Sequence, residues 1–361
     1  MQNFFVNPDI SRAHTISTDV YKSPEFFEMA REKIFAHSWQ FAGDTDMLAI
    51  TGACHPFTLL EKYLDEPLLL TKDGNGMLHC LSNVCTHRGN LLVYKNCTTS
   101  SLRCKYHGRI FDLDGKFRSM PEFKEVKDFP TAGDDLTKLP LFKWEKLLFT
   151  SLQPRFDATL FFTDMMERIS WLPLNEFFFR PDLSKEYHIN CNWALYCENY
   201  LEGFHIPFVH GALNTTIDFT DYSTELFYPF SSLQTGISKD GKNCFDIPAS
   251  SPDHGRKVAS YYFWVFPNMM FNFYPWGLSI NIVQPVAVDK TKVQYFLYVW
   301  KDHLRSGGAG GDLDKVEMED EEIVQQVQKG IHSRFYKEGR YSVIREKGTH
   351  HFHELLAKFL Q

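Results

Sequence analysis

Two short motifs constrain this chain more than any other part of its sequence. Residues 85–87 (Cys-Thr-His) and 104–107 (Cys-Lys-Tyr-His) each place one thiol and one imidazole in a single short segment. Gly89 and Gly108 follow the two histidines, at points where a backbone must turn tightly around a metal. Thiolates suit iron–sulfur clusters and zinc, whereas imidazoles suit zinc, copper and iron, so the ligand types alone leave the metal open.

The mixed composition of each motif separates the two kinds of metal centre. Zinc ribbons and fingers usually pair like ligands at each knuckle. In a Rieske 2Fe-2S cluster, by contrast, two cysteines bind one iron and two histidines bind the other. The spacing predicts such a cluster, with Cys85 and Cys104 on the first iron and His87 and His107 on the second. A zinc site with two cysteines and two histidines is the alternative.

The same stretches resemble a known family, the Rieske non-haem iron oxygenases. CTHRGN and CKYHGRIFDLDG are similar to that family's cluster loops, and HSWQFAGD is similar to the entry into its Rieske module. Respiratory Rieske proteins carry one more cysteine in each loop, at positions that Asn90 and Tyr106 hold here. A disulfide-linked, high-potential electron carrier is therefore disfavoured, and the cluster is expected toward the low end of the Rieske range of potentials.

Length and residue pattern predict two domains. A chain of 361 residues exceeds one ordinary hydrophobic core. Residues 41–150 contain short apolar runs separated by turn signals such as KDGNG and DLDGK, which is typical of β-hairpins. Residues 23–40 open on Ser-Pro and carry apolar residues at helical spacing, which predicts one amphipathic helix.

The second part of the chain reads as a mixture of helices and strands. The pattern predicts a helix around 190–206, strands over 222–301, a flexible Gly-rich loop at 306–311 and a helix-rich tail. The resemblance implies an α+β protein in which a Rieske all-β module at 41–150 precedes a catalytic domain at 151–361. That domain is expected to be of the helix-grip (START-like) type, an antiparallel sheet around a long helix, with the helical segment 1–40 packed on it.

The stretch NWALYCENYLEGFHIPFVH, residues 192–210, carries the candidate ligands of a second metal. Non-haem iron that activates oxygen is bound by two histidines and one carboxylate on one face, with the opposite positions open. His205 and His210 are the candidate histidines. On an unbroken helix, residues five apart point about 140° away from each other. We expect Pro207 to end or bend the helix, so that His210 can turn back towards the metal.

The third ligand is expected in the acidic run EMEDEE, residues 317–322. If residues 316–331 are helical, their apolar side chains define one face, with Asp320 at its centre and Glu319 toward its edge. That face comprises Val316, Ile323, Val324, Val327 and Ile331. A carboxylate in the middle of an apolar face is costly without a partner such as a metal. Asp320 is therefore the predicted ligand of a mononuclear Fe(II), with Glu319 and a merely solvated acidic run as the alternatives.

Glu202 is predicted to have a catalytic role outside the ligand set. It lies three residues before His205, well placed to accept a hydrogen bond from that imidazole. The resemblance implies that this carboxylate bridges His205 to His107 of a neighbouring subunit, within a ring-shaped homotrimer. The family usually has Asp here, and Glu in ENYLEGFH resembles the monooxygenases of carnitine, choline and glycine betaine.

The resemblance implies an oxygenase that inserts oxygen from O2. The electrons would come from NAD(P)H through a separate flavin/iron–sulfur reductase, because no Rossmann glycine fingerprint follows any predicted strand. The favoured reaction is monooxygenation or N-demethylation of a small quaternary ammonium compound. The aromatic-rich residues 260–277 support this substrate, since aromatic rings bind trimethylammonium groups. Only alternate positions of a strand can face a pocket, so at most half of the six candidate side chains could bind the substrate. The six candidates are Tyr262, Trp264, Phe266, Phe271, Phe273 and Trp276.

Two other functions remain open at this point. An aromatic ring-hydroxylating dioxygenase alpha subunit would keep every metal ligand and differ in its pocket. A Rieske electron-transfer protein fused to a ligand-binding domain would keep the cluster and lack the second iron.

Composition and charge exclude other classes of partner. The net charge of −7 is spread along the chain, so nucleic acid is not an expected partner. No run of eighteen apolar residues occurs, so no membrane is expected either. The N-terminus lacks a basic segment followed by an apolar run, and we expect a cytoplasmic protein.

Overall fold

The chain forms two units in this computed structural model, which describes residues 4–311 and 313–360. One unit is Ala36–Arg155, and the other joins the segment that ends at Phe35 to the segment that begins at Phe156. The sequence placed these boundaries at 40/41 and 150/151. The structural boundaries lie outside those positions because backbone bonds continue beyond the first strand: the Gln153 N–H donates to Ala36 O (3.0 Å) and the Arg155 N–H to His37 O (3.2 Å).

The unit Ala36–Arg155 is built from short antiparallel strands. They are β1 (Gln40–Asp44), β2 (Ala53–Leu59), β3 (Glu66–Lys72), β4 (Leu78–Ser82), β5 (Cys97–Thr98), β6 (Leu102–Arg103), β7 (Ile110–Phe111), β8 (Phe117–Ser119), β9 (Lys138–Leu139), β10 (Leu141–Trp144) and β11 (Leu147–Thr150). They form three sheets, with strand orders β5-β2-β3-β4-β9, β1-β11-β10 and β6-β7-β8.

Strand β3 divides the interior of this unit into two cores. Successive side chains of a strand point to opposite faces. Leu68 and Leu70 accordingly enter one hydrophobic cluster. Leu69 enters the other, which also contains Cys85 and Cys104. The two cysteines are therefore anchored in a packed core of the β module.

The other unit contains all the α-helices of the described residues. They are α1 (Asp19–Lys22), α2 (Pro24–Lys33), α3 (Thr159–Arg168), α4 (Trp193–Tyr200), α5 (Ile206–Val209), α6 (Gly211–Thr216), α7 (Leu313–Gly330) and α8 (Lys347–Leu360). Its strands are β12 (Phe178–Phe179), β13 (Lys185–Ile189), β14 (Ser223–Phe227), β15 (Ser231–Ile237), β16 (Val258–Val265), β17 (Met269–Tyr274), β18 (Gly277–Ala287) and β19 (Lys290–Val299). None of these helices is both long and apolar enough to cross a membrane.

A single antiparallel sheet packs against the C-terminal helix. Its strand order is β12-β19-β18-β17-β16-β15-β14, and β13 also pairs with β19. Helix α8 buries Phe352 against Trp264 (ring centroids 5.3 Å apart) and Phe359 against Phe266 (5.0 Å). The predicted α+β class, a Rieske module with a catalytic domain of antiparallel sheet and helices, is confirmed.

The predicted helix over 23–40 is too long. Helix α2 begins after Ser23, whose hydroxyl accepts the Phe26 N–H (3.2 Å), and it ends at Lys33. A 3₁₀ turn follows, and Gln40 then pairs with Thr150 in the sheet. Tertiary pairing therefore overrides the local helical pattern in the last residues of this stretch.

The sequence predicted a flexible loop at 306–311, and the structure buries its central residues Ala309 and Gly310 while Ser306 and Gly311 are exposed. This segment contains a 3₁₀ turn, Gly308–Gly310, whose last residue is buried. A Cβ atom at Gly310 would lie 2.6 Å from Trp276 Nε1 and 2.8 Å from the ring of Tyr274. Glycine is needed here because two aromatic side chains lie against the backbone.

A buried carboxylate joins three elements of the sheet-containing unit. Asp253 is 1% exposed and accepts hydrogen bonds from Arg168 (2.6 and 3.0 Å), Arg256 (2.8 Å) and Tyr261 (2.9 Å). Arg168 also donates to Glu225 (2.8 Å). Burial alone would raise the pKa of Asp253, but these hydrogen bonds outweigh it and lower that pKa.

We predict that Asp253→Asn lowers the free energy of unfolding by about 3 kcal/mol, because the change breaks a buried ion pair. Glu225→Gln is the matched control, since the Glu225 side chain is 39% exposed and contacts the same arginine. Its loss should stay below about 1 kcal/mol. Denaturant titration followed by tryptophan fluorescence measures both values, and equal losses would contradict the prediction.

Candidate active site

The two cysteine–histidine loops of the β module share one backbone conformation. In each loop the cysteine N–H donates to the carbonyl five residues on, and the glycine N–H donates back to the cysteine carbonyl. These bonds are Cys85 to Asn90 (2.9 Å) and Gly89 to Cys85 (3.0 Å), and Cys104 to Arg109 (2.8 Å) and Gly108 to Cys104 (3.0 Å). Gly89 and Gly108 have φ angles of +71° and +77°, the left-handed region that glycine adopts without strain.

The four predicted cluster ligands are brought together at the edge of a core. Cys85 and Cys104 are 1% and 2% exposed, whereas His87 is half-buried and His107 is exposed. The two imidazole rings lie 4.8 Å apart between centroids. This donor set fits a Rieske cluster with its thiolate iron inside the protein and its imidazole iron towards the surface.

Asn90 has a contact that the sequence did not reveal. Its side-chain amide donates to the sulfur of Cys104 (3.7 Å). Hydrogen bonds to ligand sulfurs tune the potential of an iron–sulfur cluster. In the sequence Asn90 is distinguished only as a position that lacks the extra cysteine of respiratory Rieske proteins, so its contact with Cys104 could not be predicted.

In the sheet-containing unit, His205, His210 and Asp320 converge on one point. The two histidine Nε2 atoms are 3.2 Å apart, and Asp320 Oδ1 lies 3.1 Å from His210 Nε2 and 3.5 Å from His205 Nε2. Metal–ligand bonds to nitrogen and oxygen are about 2.0–2.2 Å long, so ligands at adjacent corners of an octahedron are about 3 Å apart. The triangle therefore fits a single metal ion held on one face by two imidazoles and a carboxylate, as in non-haem iron sites.

The break in the helix that brings the two histidines together comes earlier in the chain than predicted. Helix α4 ends at Tyr200, ahead of His205, and Pro207 lies in the first turn of the new helix α5. Proline is favourable at that position because the first helical N–H groups have no partner within the helix. His210 then leaves helical geometry (φ −101°, ψ +76°), which directs its ring back towards His205.

Two further carboxylates bind the outer nitrogens of the histidines. His205 Nδ1 lies 2.7 Å from Glu202 Oε1, and His210 Nδ1 lies 2.8 Å from Glu319 Oε2. Such contacts hold each ring in the tautomer whose Nε2 is free for a metal. Glu202 has the contact predicted from its spacing, whereas the role of Glu319 as an outer partner was missed.

The charge around His210 also affects metal binding. Burial alone would lower the pKa of His210, but the carboxylates of Asp320 and Glu319 outweigh it and raise that pKa. Because only a neutral imidazole can bind a metal, protons compete with the metal at this site as the pH falls.

The buried face of helix α7 differs from the predicted one. Ile323 and Val327 are 37% and 43% exposed, so the prediction that they belong to a buried apolar face is wrong. The buried residues are Glu317, Val324 and Gln328. Glu317 and Gln328 are polar and form hydrogen bonds inside the protein. For example, the Asn192 N–H donates to Gln328 Oε1 (2.8 Å). Hydrophobic periodicity cannot reveal a face that is buried by internal hydrogen bonds.

A cavity of about 750 Å³, including its opening to solvent, adjoins the three converging side chains. Six tyrosines line it, together with four side-chain amides: Tyr196, Tyr200, Tyr222, Tyr262, Tyr274 and Tyr295, with Asn199, Gln234, Asn272 and Asn281. Phenol rings and amides therefore dominate the wall.

The aromatic side chains proposed from residues 260–277 mostly lie elsewhere. Only Tyr262 of the six candidates lines this cavity. The others pack in the interior, for example Trp264 on Phe352 of helix α8 and Phe273 on Phe263. The error arises because a sheet buries aromatic rings on both faces, and only tertiary structure shows which face bounds the cavity.

Comparison with known proteins gives the same class as the two sites, an oxygenase with a Rieske cluster and a mononuclear metal. Residues 38–130 match the Rieske 2Fe-2S domain, and residues 179–361 match the catalytic domain of the ring hydroxylating alpha subunit. Choline monooxygenase, chloroplastic, of Arabidopsis thaliana is 31% identical over 96% of this chain and 83% of its own length. The chain therefore belongs to the family of ring-hydroxylating alpha subunits that carry a Rieske domain.

Two solved structures have the same fold. A quaternary ammonium Rieske monooxygenase, studied for carnitine oxidation by gut microbiota and for inter-subunit electron transfer, superposes with a TM-score of 0.81 at 21% identity, covering 98% of this chain and 97% of that one. Naphthalene 1,2-dioxygenase from Rhodococcus sp. superposes with a TM-score of 0.74 at 18% identity, covering 96% and 93%.

The predicted enzyme class, a Rieske-type oxygenase, is confirmed. The Rieske match overturns the alternative of a zinc site in the cysteine–histidine loops. The catalytic-domain match and the converging side chains oppose the alternative of an electron carrier fused to a ligand-binding domain.

We predict that Asp320→Ala removes one iron per chain and leaves the absorption of the cluster intact, because the two metal centres use ligands from separate units. Glu319→Gln should retain the iron and weaken its binding by about 10- to 100-fold, since it alters an outer partner of His210. Iron analysis after dialysis against a graded series of chelator concentrations distinguishes the two. Loss of iron in Glu319→Gln with retention in Asp320→Ala would reverse the assignment.

Proposed function

We propose that this protein oxidises a small quaternary ammonium compound at carbon, by monooxygenation or N-demethylation. The observation that carries the proposal is the cavity lined by six tyrosines beside His205, His210 and Asp320. The likeness to a choline monooxygenase supports it. In the overall reaction one C–H bond becomes C–OH, the second oxygen atom of O2 leaves as water, and two electrons and two protons are consumed.

The metal centres would be held by the residues described above. Cys85, Cys104, His87 and His107 would bind the cluster, and the mononuclear Fe(II) would be bound by His205, His210 and Asp320. When bound, these groups supply electron transfer and oxygen activation. The two electrons would come from NAD(P)H through a separate flavin/iron–sulfur reductase.

The tyrosines would bind and orient the substrate. A trimethylammonium group has a charge and no hydrogen-bond donor, so aromatic faces hold it, each contributing around 0.5 to 2 kcal/mol. Internal hydrogen bonds keep the phenol rings in place. The Tyr200 hydroxyl, for example, lies 2.7 Å from Asn272 Oδ1 and 3.1 Å from Phe263 O. A rigid cage lowers the entropic cost of binding and keeps one methyl or methylene group beside the metal site.

The polarity of the cavity favours this substrate over an aromatic hydrocarbon. A flat arene has neither charge nor hydrogen-bonding group, so it would leave Gln234 Oε1, which is buried without a hydrogen-bond partner among the described residues, unpaired. Burying unpaired polar groups in this way costs binding free energy. The aromatic ring-hydroxylating reaction is therefore the second candidate.

Glu202 is proposed to connect two subunits. One of its carboxylate oxygens accepts from His205 Nδ1 (2.7 Å), and its side chain is 16% exposed, within reach of a neighbouring surface. His107, the proposed partner on the next chain, is exposed. Inter-subunit electron transfer is described for a solved relative of this fold. A homotrimer in the cytoplasm completes the proposal.

Turnover with a Rieske-oxygenase reductase, NADH and O2 tests the substrate class. Choline, carnitine and glycine betaine should be compared with naphthalene, with product measured by mass spectrometry and O2 uptake by electrode. At least one ammonium compound should be converted with one O2 and one NADH consumed per product. Conversion of naphthalene to a cis-diol, with no ammonium compound oxidised, would contradict the proposal.

Glu202→Gln tests the bridge. The amide keeps the size of the side chain and an acceptor for His205, so both metal centres should remain loaded. Reoxidation of the prereduced cluster during a single turnover should slow by about 10- to 100-fold. Glu322→Gln is the control, because Glu322 is exposed on helix α7 outside the cavity. A wild-type rate in Glu202→Gln, or a monomer in solution, would rule out the bridge.

A further inference from the structure

Glu317 is a buried acidic side chain that the reaction described so far does not use. It lies on helix α7 one turn before Asp320 and is 1% exposed. Its Oε2 atom accepts hydrogen bonds from the hydroxyls of Tyr196 (2.6 Å) and Tyr295, two tyrosines of the cavity wall. Its Oε1 atom is also buried and has no hydrogen-bond partner among the described residues.

Burial is the main influence on this carboxyl group. It raises the pKa of Glu317 to about 8, even though the two tyrosine hydroxyls lower it. A buried carboxyl group with one unsatisfied oxygen is costly for the fold, and a nearby positive charge would offset part of that cost. The wall behind Tyr196 and Tyr295 is therefore complementary to a cation.

The remaining charged side chains of the cavity are acidic, and with Glu319 beside His210 they would outnumber the two positive charges of a bound Fe(II). Glu202 and Asp320 line it, and the described lining residues include no lysine or arginine. The basic side chains of the adjoining cavities already have interactions of their own. Lys185 pairs with Asp314, Arg305 pairs with Asp302 (3.0 Å), and Lys315 lines its cavity together with Glu319. A substrate carboxylate would find no free cation among these side chains.

The hydroxyl groups that could otherwise bind an anion are already committed. The hydroxyl groups of Tyr196 and Tyr295 each donate a hydrogen bond to Glu317. The Tyr200 proton is used by Asn272 or by the carbonyl of Phe263. Half of the six tyrosines of the wall are thus engaged as donors before any substrate enters.

We propose that Glu317, acting through Tyr196 and Tyr295, makes this cavity selective for an ammonium alcohol of the choline kind over an ammonium carboxylate such as betaine or carnitine. The inference rests on the proposed function and names the substrate within that class. A net cation favours the ionised form of Glu317, whereas a zwitterion brings a second carboxylate into a cavity without a basic partner.

Binding of matched ligands to the metal-loaded wild-type protein tests the selectivity directly. The ligands are choline, its neutral isostere 3,3-dimethylbutan-1-ol, and glycine betaine, and the measurement is anaerobic isothermal titration calorimetry. Choline should bind about tenfold more tightly than each of the others, which is the effect of one favourable charge interaction. This comparison requires no variant, so it does not depend on the folding of an altered protein.

Substitutions assign the selectivity to Glu317. Glu317→Gln should weaken choline binding by about tenfold while the isostere changes by less than about twofold, since glutamine cannot form the carboxylate that a bound cation favours. Glu317→Asp should retain the preference for choline, and Glu322→Gln should behave as the wild-type protein. Iron content and cluster absorption verify that each variant is assembled.

The possible results distinguish a failure of the proposed role of Glu317 from a failure of the proposed quaternary ammonium function. Glycine betaine that binds the wild-type protein as tightly as choline would overturn the role of Glu317 and leave the quaternary ammonium function intact. Equal weakening of choline and of the isostere in Glu317→Gln would show a merely structural role. Binding of naphthalene with no binding of any ammonium compound would overturn the proposed function itself.

Discussion

The catalytic unit depends on one contact, the approach of two imidazole nitrogens and one carboxylate oxygen to within 3.5 Å of each other. Without a metal, such a group of acceptors and partial charges is unfavourable, so the surrounding structure must hold it in place. Glu202 and Glu319 do so by binding the outer nitrogens of the histidines. Helix α7 supplies the carboxylate of this contact, the two ends of helix α5 supply the imidazoles, and the cavity adjoins all three.

The β module meets a related requirement by other means. Its ligands are held by two loops with the same backbone hydrogen bonds, and its thiols are embedded in a packed core. His87 is half-buried and His107 is exposed, so a cluster held here would have its imidazole iron towards the surface and would supply electron transfer from that side. Each metal centre is thus built from local geometry within its own unit.

The sequence predicted those parts of the sites that depend on short spacing. Cysteine and histidine pairs, the run from Glu202 to His210, and a carboxylate in the acidic run are all visible without a structure. The buried face of α7 could not be predicted, because Glu317 and Gln328 accept hydrogen bonds from Tyr196, Tyr295 and Asn192, which lie more than twenty residues away in the chain. The cavity wall was missed for the same reason, since Tyr196, Tyr222 and Tyr295 come from separate elements. The helix predicted over 23–40 was too long, because the pairing of β1 with β11 determines where the chain becomes extended.

The candidate iron ligands and part of the cavity wall come from different kinds of element, which has an evolutionary consequence. The candidate iron ligands lie on or beside helices, whereas Tyr262, Asn272 and Asn281 of the cavity wall are on strands β16, β17 and β18. Substitutions on the strands can reshape the substrate space while the coordinating atoms stay where they are. New substrates are therefore accessible to such a scaffold by single mutations, without a loss of metal along the way. On helix α7, by contrast, Val316 of the cavity wall and Glu317 share an element with Asp320, so substitutions there can also disturb this candidate iron ligand.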